Sequence, residues 1–144
     1  MPLHLVKLCV GAGSADDLRA WVEARVAERH GRGEEPVHVH TTRMTPKRVA
    51  ELLEGGSLFW VIRGEITIRQ PLRDIRPFTD PHGIGRCDLV LDPALVPVDP
   101  RPRRPFQGWR YLVADEAPPD MSAAADGSVL PEPMRRTLRE MGLL

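Results

Sequence analysis

The chain has 144 residues and as many acidic as basic side chains, 20 of each, so its formal net charge is zero. That length suits one domain with a core of its own, and the neutrality removes any global electrostatic case for nucleic acid or membrane. The basic side chains are lopsided, 18 Arg against 2 Lys. Arg favours planar, bidentate contacts to phosphate and carboxylate, although the many Ala and Pro residues fit GC-rich coding better. Cys9 and Cys87 are too few for a disulfide framework, and each falls in an apolar strand pattern, so both read as buried free thiols. No apolar run approaches about 18 residues and no basic-then-apolar leader opens the chain, so the expectation is a soluble, cytoplasmic protein that does not engage membranes.

In chain order, Leu3 to Val10 alternates as a largely buried strand, with Leu3, Leu5, Lys7 and Cys9 on one side. Gly11-Ala12-Gly13 turns the chain. Ser14 followed by Asp17 forms a capping-box-like start to a helix whose Leu18, Trp21, Val22 and Val26 recur at helical spacing, with Gly31 as its stop. Val37 to Thr42 forms a second strand with His38 and His40 on one face. Thr45-Pro46 opens a short helix with Val49, Leu52 and Leu53 as its buried stripe, closed by Gly55.

Gly55 to Phe78 is the centre of the pattern. Ser57 to Ile62 is a short, continuous apolar run bounded by glycines, the mark of a strand buried on both faces. Arg63-Gly64 fits a two-residue hairpin turn with Gly64 at positive φ. Ile66 and Ile68 then alternate against Glu65, Thr67 and Arg69. The parity switch from Leu72 to Ile75, next to Pro71, predicts a bulge. On this alternation Arg63 and Arg69 share a polar face that Arg73 extends. Asp80-Pro81-His82-Gly83 is a turn, and Ile84 to Leu91 a strand with Cys87, Leu89 and Leu91 on one face.

From Val96 the composition changes. Pro97, Pro100, Pro102 and Pro105 exclude helix and internal strand, and Phe106 to Val113 reads as a last strand. The resulting organisation is an α+β domain over residues 1–113, a linker over 114–129 and a C-terminal helix over 130–144. Its sheet is mixed and mainly antiparallel, with curling into a small barrel as an option.

Several motifs bear on chemistry. Gly11-Ala12-Gly13 lacks the third glycine of a dinucleotide-binding turn, since Asp16 stands there. His38-x-His40 places two imidazoles on one strand face, yet spacing supplies no third ligand, so no metal and no cofactor is assigned. Asp74, Asp80, Asp88 and Asp92 follow strands and fit turns and caps better than paired acid–base catalysis. The strongest candidate is Arg101 to Tyr111, where Arg101, Arg103, Arg104 and Arg110 interleave with Phe106, Trp109 and Tyr111. Phosphate-pairing Arg plus stacking rings is what single-stranded nucleic acid requires. With Arg63 and Arg69 these residues make the expected binding surface; inward-packed aromatics with Arg outward are the alternative.

Five segments together resemble the domain-of-unknown-function 1489 family of short bacterial proteins: LHLVKLCVG (Leu3–Gly11), MTPKR (Met44–Arg48), GGSLFWVIRG (Gly55–Gly64), DIRPF (Asp74–Phe78) and RRPFQGWRYL (Arg103–Leu112). The resemblance spans roughly residues 1 to 120 and leaves the tail from Met121 unmatched. It implies a soluble bacterial protein and brings no activity or catalytic residue. The helix ending in Gly-Gly, the buried strand, Gly64-x-Ile66-x-Ile68 and the Asp-Ile-Arg-Pro turn are similar to RNA-binding pseudobarrels of the PUA and ASCH type. The leading expectation is therefore a non-catalytic RNA- or nucleotide-binding module. The alternatives are a small enzyme on a phosphorylated or nucleotide substrate using His38, His40 or an Asp, and a domain binding an acidic protein partner. No oligomeric state is assigned.

Overall fold

A computed structural model describes residues 2–121. Seven strands and two helices follow in the order β1 (His4–Leu8), α1 (Ala15–Gly31), β2 (His38–Thr42), α2 (Val49–Leu52), β3 (Ser57–Ile62), β4 (Glu65–Thr79), β5 (Gly85–Leu91), β6 (Val96–Pro102) and β7 (Trp109–Leu112). The sheet is open and mixed, ordered β2-β5-β4-β3-β1-β7, with β6 paired to β4. β1 and β3 run parallel, joined by a connection that contains α1, β2 and α2, and the other pairings are antiparallel. The α+β class therefore stands. The C-terminal helix expected over 130–144 lies outside the described residues.

All six residues of β3 are buried, as a run apolar on both faces requires. Leu58, Trp60 and Ile62 face the larger core with α1, α2 and the inner sides of β4 and β5. Phe59 and Val61 face a smaller cluster with Val6, Ile66, Val98 and Leu112. Arg63 (φ 52°) and Gly64 (φ 78°) are both left-handed, the two-residue turn expected. Just before β3, a Cβ on Gly56 would collide with the carbonyls of Leu3 and Leu52, so only glycine lets α2 pass this close to β1.

β4 carries two register shifts. One, between Leu72 and Asp74, is the bulge expected from the parity switch. The other is new: Trp60 opposes Ile68 while Val61 opposes Ile66, leaving Thr67 as the extra residue. Ile66 and Ile68 consequently enter different clusters, which corrects the simple alternation and with it the shared polar face of Arg63 and Arg69.

α1 begins as expected, with Ser14 Oγ accepting from the Asp17 amide at 3.1 Å. Its stop differs. Gly33 (φ 74°), not Gly31, is left-handed, and the Gly33 and Glu34 amides donate to His30 O and Arg29 O in a Schellman closure. α2 starts at Val49 rather than at Pro46.

The proline-rich stretch is neither helix nor internal strand, as expected, and it still joins the sheet. Residues 96–102 form a strand, with Val98 fully buried. It lies at an edge, where proline is tolerated. Residues 114–121, the start of the expected linker, fold onto it: a 3-10 turn spans Ala114–Glu116, the Asp99 amide donates to Pro119 O, and the Met121 amide donates to Pro97 O.

Candidate functional site

The segment 101–111 is fixed to the domain at both ends and splits its side chains between the two sides of the sheet. The Arg103 amide donates to Gly64 O at 2.8 Å, tying the arm to the β3–β4 turn. Arg101 opposes Ile66 in the ladder, and its guanidinium donates to Glu116 O at 2.9 Å. Phe106 is half-buried against the smaller cluster. The guanidinium of Arg103 stands 5.2 Å and that of Arg110 5.3 Å from its ring centroid, within cation–π range. Arg110 is held further by donating to Gln107 O at 2.7 Å and Trp109 O at 3.1 Å. Arg104 is exposed beside them.

Trp109 and Tyr111 turn the other way. Trp109 is 7% exposed, belongs to the larger core and donates from Nε1 to Met44 O at 2.7 Å. Tyr111 Oη accepts from the Lys47 and Arg48 amides at 3.0 and 3.2 Å, and the Arg48 guanidinium lies 5.6 Å from its ring centroid. The MTPKR and QGWRY segments thus form one buckle between the loop after β2 and β7. A buried Trp109 supplies no stacking platform, so this half of the expected surface is structural.

Among the expected arginines, Arg69 is engaged elsewhere. It pairs with both carboxylate oxygens of Asp120 at 2.8 and 2.9 Å and donates to Ser57 Oγ at 2.9 Å, which holds the Asp120 carboxyl below its ordinary range. Arg73 pairs with Asp92. Arg63 sits at its turn with its guanidinium against Gly13, away from Phe106. Among the described residues, Arg101, Arg103, Arg104 and Arg110 form no ion pair, whereas Arg29, Arg32, Arg48, Arg76 and Arg86 all do.

His38 is fully buried and His40 half-buried. Gln70 Oε1 accepts from Trp60 Nε1 at 2.9 Å and lies 3.1 Å from His38 Nδ1, while Gln70 Nε2 donates to Asp92 O at 2.9 Å. These bonds orient the amide, so His38 must carry its proton on Nδ1. Its Nε2 and that of His40 are buried without a partner. The His38 ring meets Trp21 and the His40 ring meets Trp60 edge-on, at 5.6 and 5.2 Å. Burial lowers both pKa values, that of His40 to about 4 with a further push from the Lys7 charge. No carboxylate joins them, and no group of three His, Cys, Asp or Glu side chains among the described residues could hold a metal.

The four Asp residues are otherwise occupied. Asp74 pairs with Arg76, Asp80 caps its turn and pairs with Arg86, Asp88 accepts from Thr41, and Asp92 accepts from Arg73 and the Ala94 amide. At the Gly11-Ala12-Gly13 turn the Gly13 amide donates to Asp17 Oδ2 at 3.0 Å, so a carboxylate fills the place a phosphate would take.

The family model described as "Protein of unknown function (DUF1489)" matches residues 5–144. The chain belongs to the DUF1489 family. The match includes the tail that the segment resemblance left out. No curated protein and no solved structure matches the chain, so the likeness to PUA and ASCH pseudobarrels gains no support. For this DUF1489 chain, the feature that sequence reasoning missed is Gln70, the polar centre of the core. Its only signal was a polar side chain at a core-facing strand position.

Proposed function

We propose that this chain is a non-catalytic module of the bacterial cytoplasm that binds the phosphate backbone of single-stranded RNA through Arg101, Arg103, Arg104 and Arg110. The observation that carries the reading is the pair of guanidiniums brought to the Phe106 ring with no carboxylate partner among the described residues. Among the described residues, Arg29, Arg32, Arg48, Arg69, Arg73, Arg76 and Arg86 are each paired with a carboxylate, whereas these four are not. Phe106 holds the two guanidiniums in place and offers a ring edge to a base.

Salt dependence tests it. Four phosphate contacts on a single strand give a slope of log affinity against log salt of about −3, at roughly −0.7 per contact. Replacing Arg103 and Arg110 with Ala should flatten the slope by about 1.4. No binding of a short RNA at low salt, or a full slope in the double variant, overturns the reading. Binding of an acidic peptide by the same arginines would then favour the protein-partner alternative.

A further inference from the structure

Lys7 carries a separate inference. It lies on β1 opposite Trp60 on one side and opposite Trp109 on the other. Both rings belong to the larger core, so the Lys7 side chain extends over the core-facing side of the sheet, where apolar residues are the rule. It is only partly exposed, and it forms no ion pair or hydrogen bond within the described residues. The His40 ring packs edge-on against the same Trp60, with its Nε2 buried and unpartnered. Cys9 follows on the same side of β1 and packs on the same core.

We infer that Lys7 and His40, over a floor of Trp60 and Trp109, form a binding site for a small oxyanion, a carboxylate or phosphate group. A half-buried ammonium on the core-facing side of a strand without a counter-charge is costly, and an oxyanion supplies that charge. His40 is neutral at pH 7, so one of its ring nitrogens can donate to a second oxygen of the same ligand. Among the described residues, the charged groups acting on this corner are Lys7 and Arg25, both basic, with His38 and Cys9 neutral and no carboxylate. Burial depresses the Lys7 pKa and raises the Cys9 thiol to about 11, so the thiol does not serve as the counter-ion. The site is independent of the RNA surface, since Arg110 opposes Val6 on the other side of the same sheet.

The sequence provides its own reporter, because Lys7 and Lys47 are the only lysines and Lys47 is exposed. Reductive methylation of the intact chain, read by peptide mass spectrometry, gives the rate at each lysine. It is run in inorganic phosphate, in acetate and in sodium chloride of equal ionic strength. A ligand at ten times its Kd slows a protected amine roughly tenfold by mass action, and Lys47 should not respond. Protection by phosphate alone assigns a phosphoryl ligand; protection by acetate as well assigns oxyanions generally. The Arg103→Ala/Arg110→Ala chain should keep the protection, because those side chains lie across the sheet. An unchanged ratio of Lys7 to Lys47 rates in all three salts, or loss of protection in that double variant, overturns the inference.

Discussion

Trp109 and Arg110 are neighbours in sequence and go to opposite sides of the sheet. Trp109 joins the larger core and donates to Met44 O, while Arg110 meets Phe106 and Arg103 on the smaller cluster's side. The pair shows that an arginine-and-aromatic stretch is two functions interleaved at period 2. One set of rings anchors the last strand, and the other set of side chains is left for solvent or a ligand. Composition alone merges them.

The largest effect that separates the two sides is on stability. Trp109→Ala should cost about 3–5 kcal/mol, through the cavity and the lost bond to Met44 O. Urea unfolding reads it, and an unchanged midpoint would return Trp109 to the binding surface. The next effect concerns pH and belongs to the inward side alone. The folded chain holds His40 at about 4 against an ordinary value of 6.5. As pH falls below that ordinary value the unfolded chain takes the proton first, so stability is full above it and declines toward the folded value. His38 and His4 act in the same direction. For His40 the loss between pH 7 and pH 5 is about 2 kcal/mol. A flat stability profile over that range would show that His40 titrates as an exposed imidazole.

A smaller effect lies at the turn to which the arm is tied. Arg63 holds a left-handed backbone at φ 52° that Asn accepts more readily. Arg63→Asn should therefore raise stability by about 0.5–1 kcal/mol, and a lower melting temperature would mean that the Arg63 side chain contributes to folding through Gly13. The smallest expected change is the sharpest contrast. Arg103→Ala/Arg110→Ala should leave the unfolding free energy within about 0.5 kcal/mol while flattening the salt dependence of RNA binding. A large loss of stability there would make the Phe106 cluster a structural latch.

Much of this arrangement was legible in the residues. The run Leu58 to Ile62 between glycines, the Arg63-Gly64 turn and the Ser14 cap each have one local solution, and the structure adopts it. The Thr67 bulge was not legible, because Ile66 and Ile68 keep a regular alternation in sequence and only pairing with β3 breaks it. The proline-rich strand was hidden for a related reason. Proline forbids a ladder on both sides, and whether one edge is free is a tertiary fact. At the candidate surface, the arginines were visible and their partners were not. Asp120 claims Arg69 from 51 positions away in the chain, a pairing that no local pattern announces.

β4 has a further consequence. Its first half pairs with β3 and β6, and its second half pairs with β5, which in turn carries β2. Every strand of the described sheet is thus reached through this one 15-residue segment. Both halves of the sheet are anchored on β4, so unfolding should be a single cooperative transition rather than a stepwise loss of parts. In native-state hydrogen exchange, the ladder-bonded amides between Ile66 and Ile75 should open only with the global event, and they should be among the last to exchange.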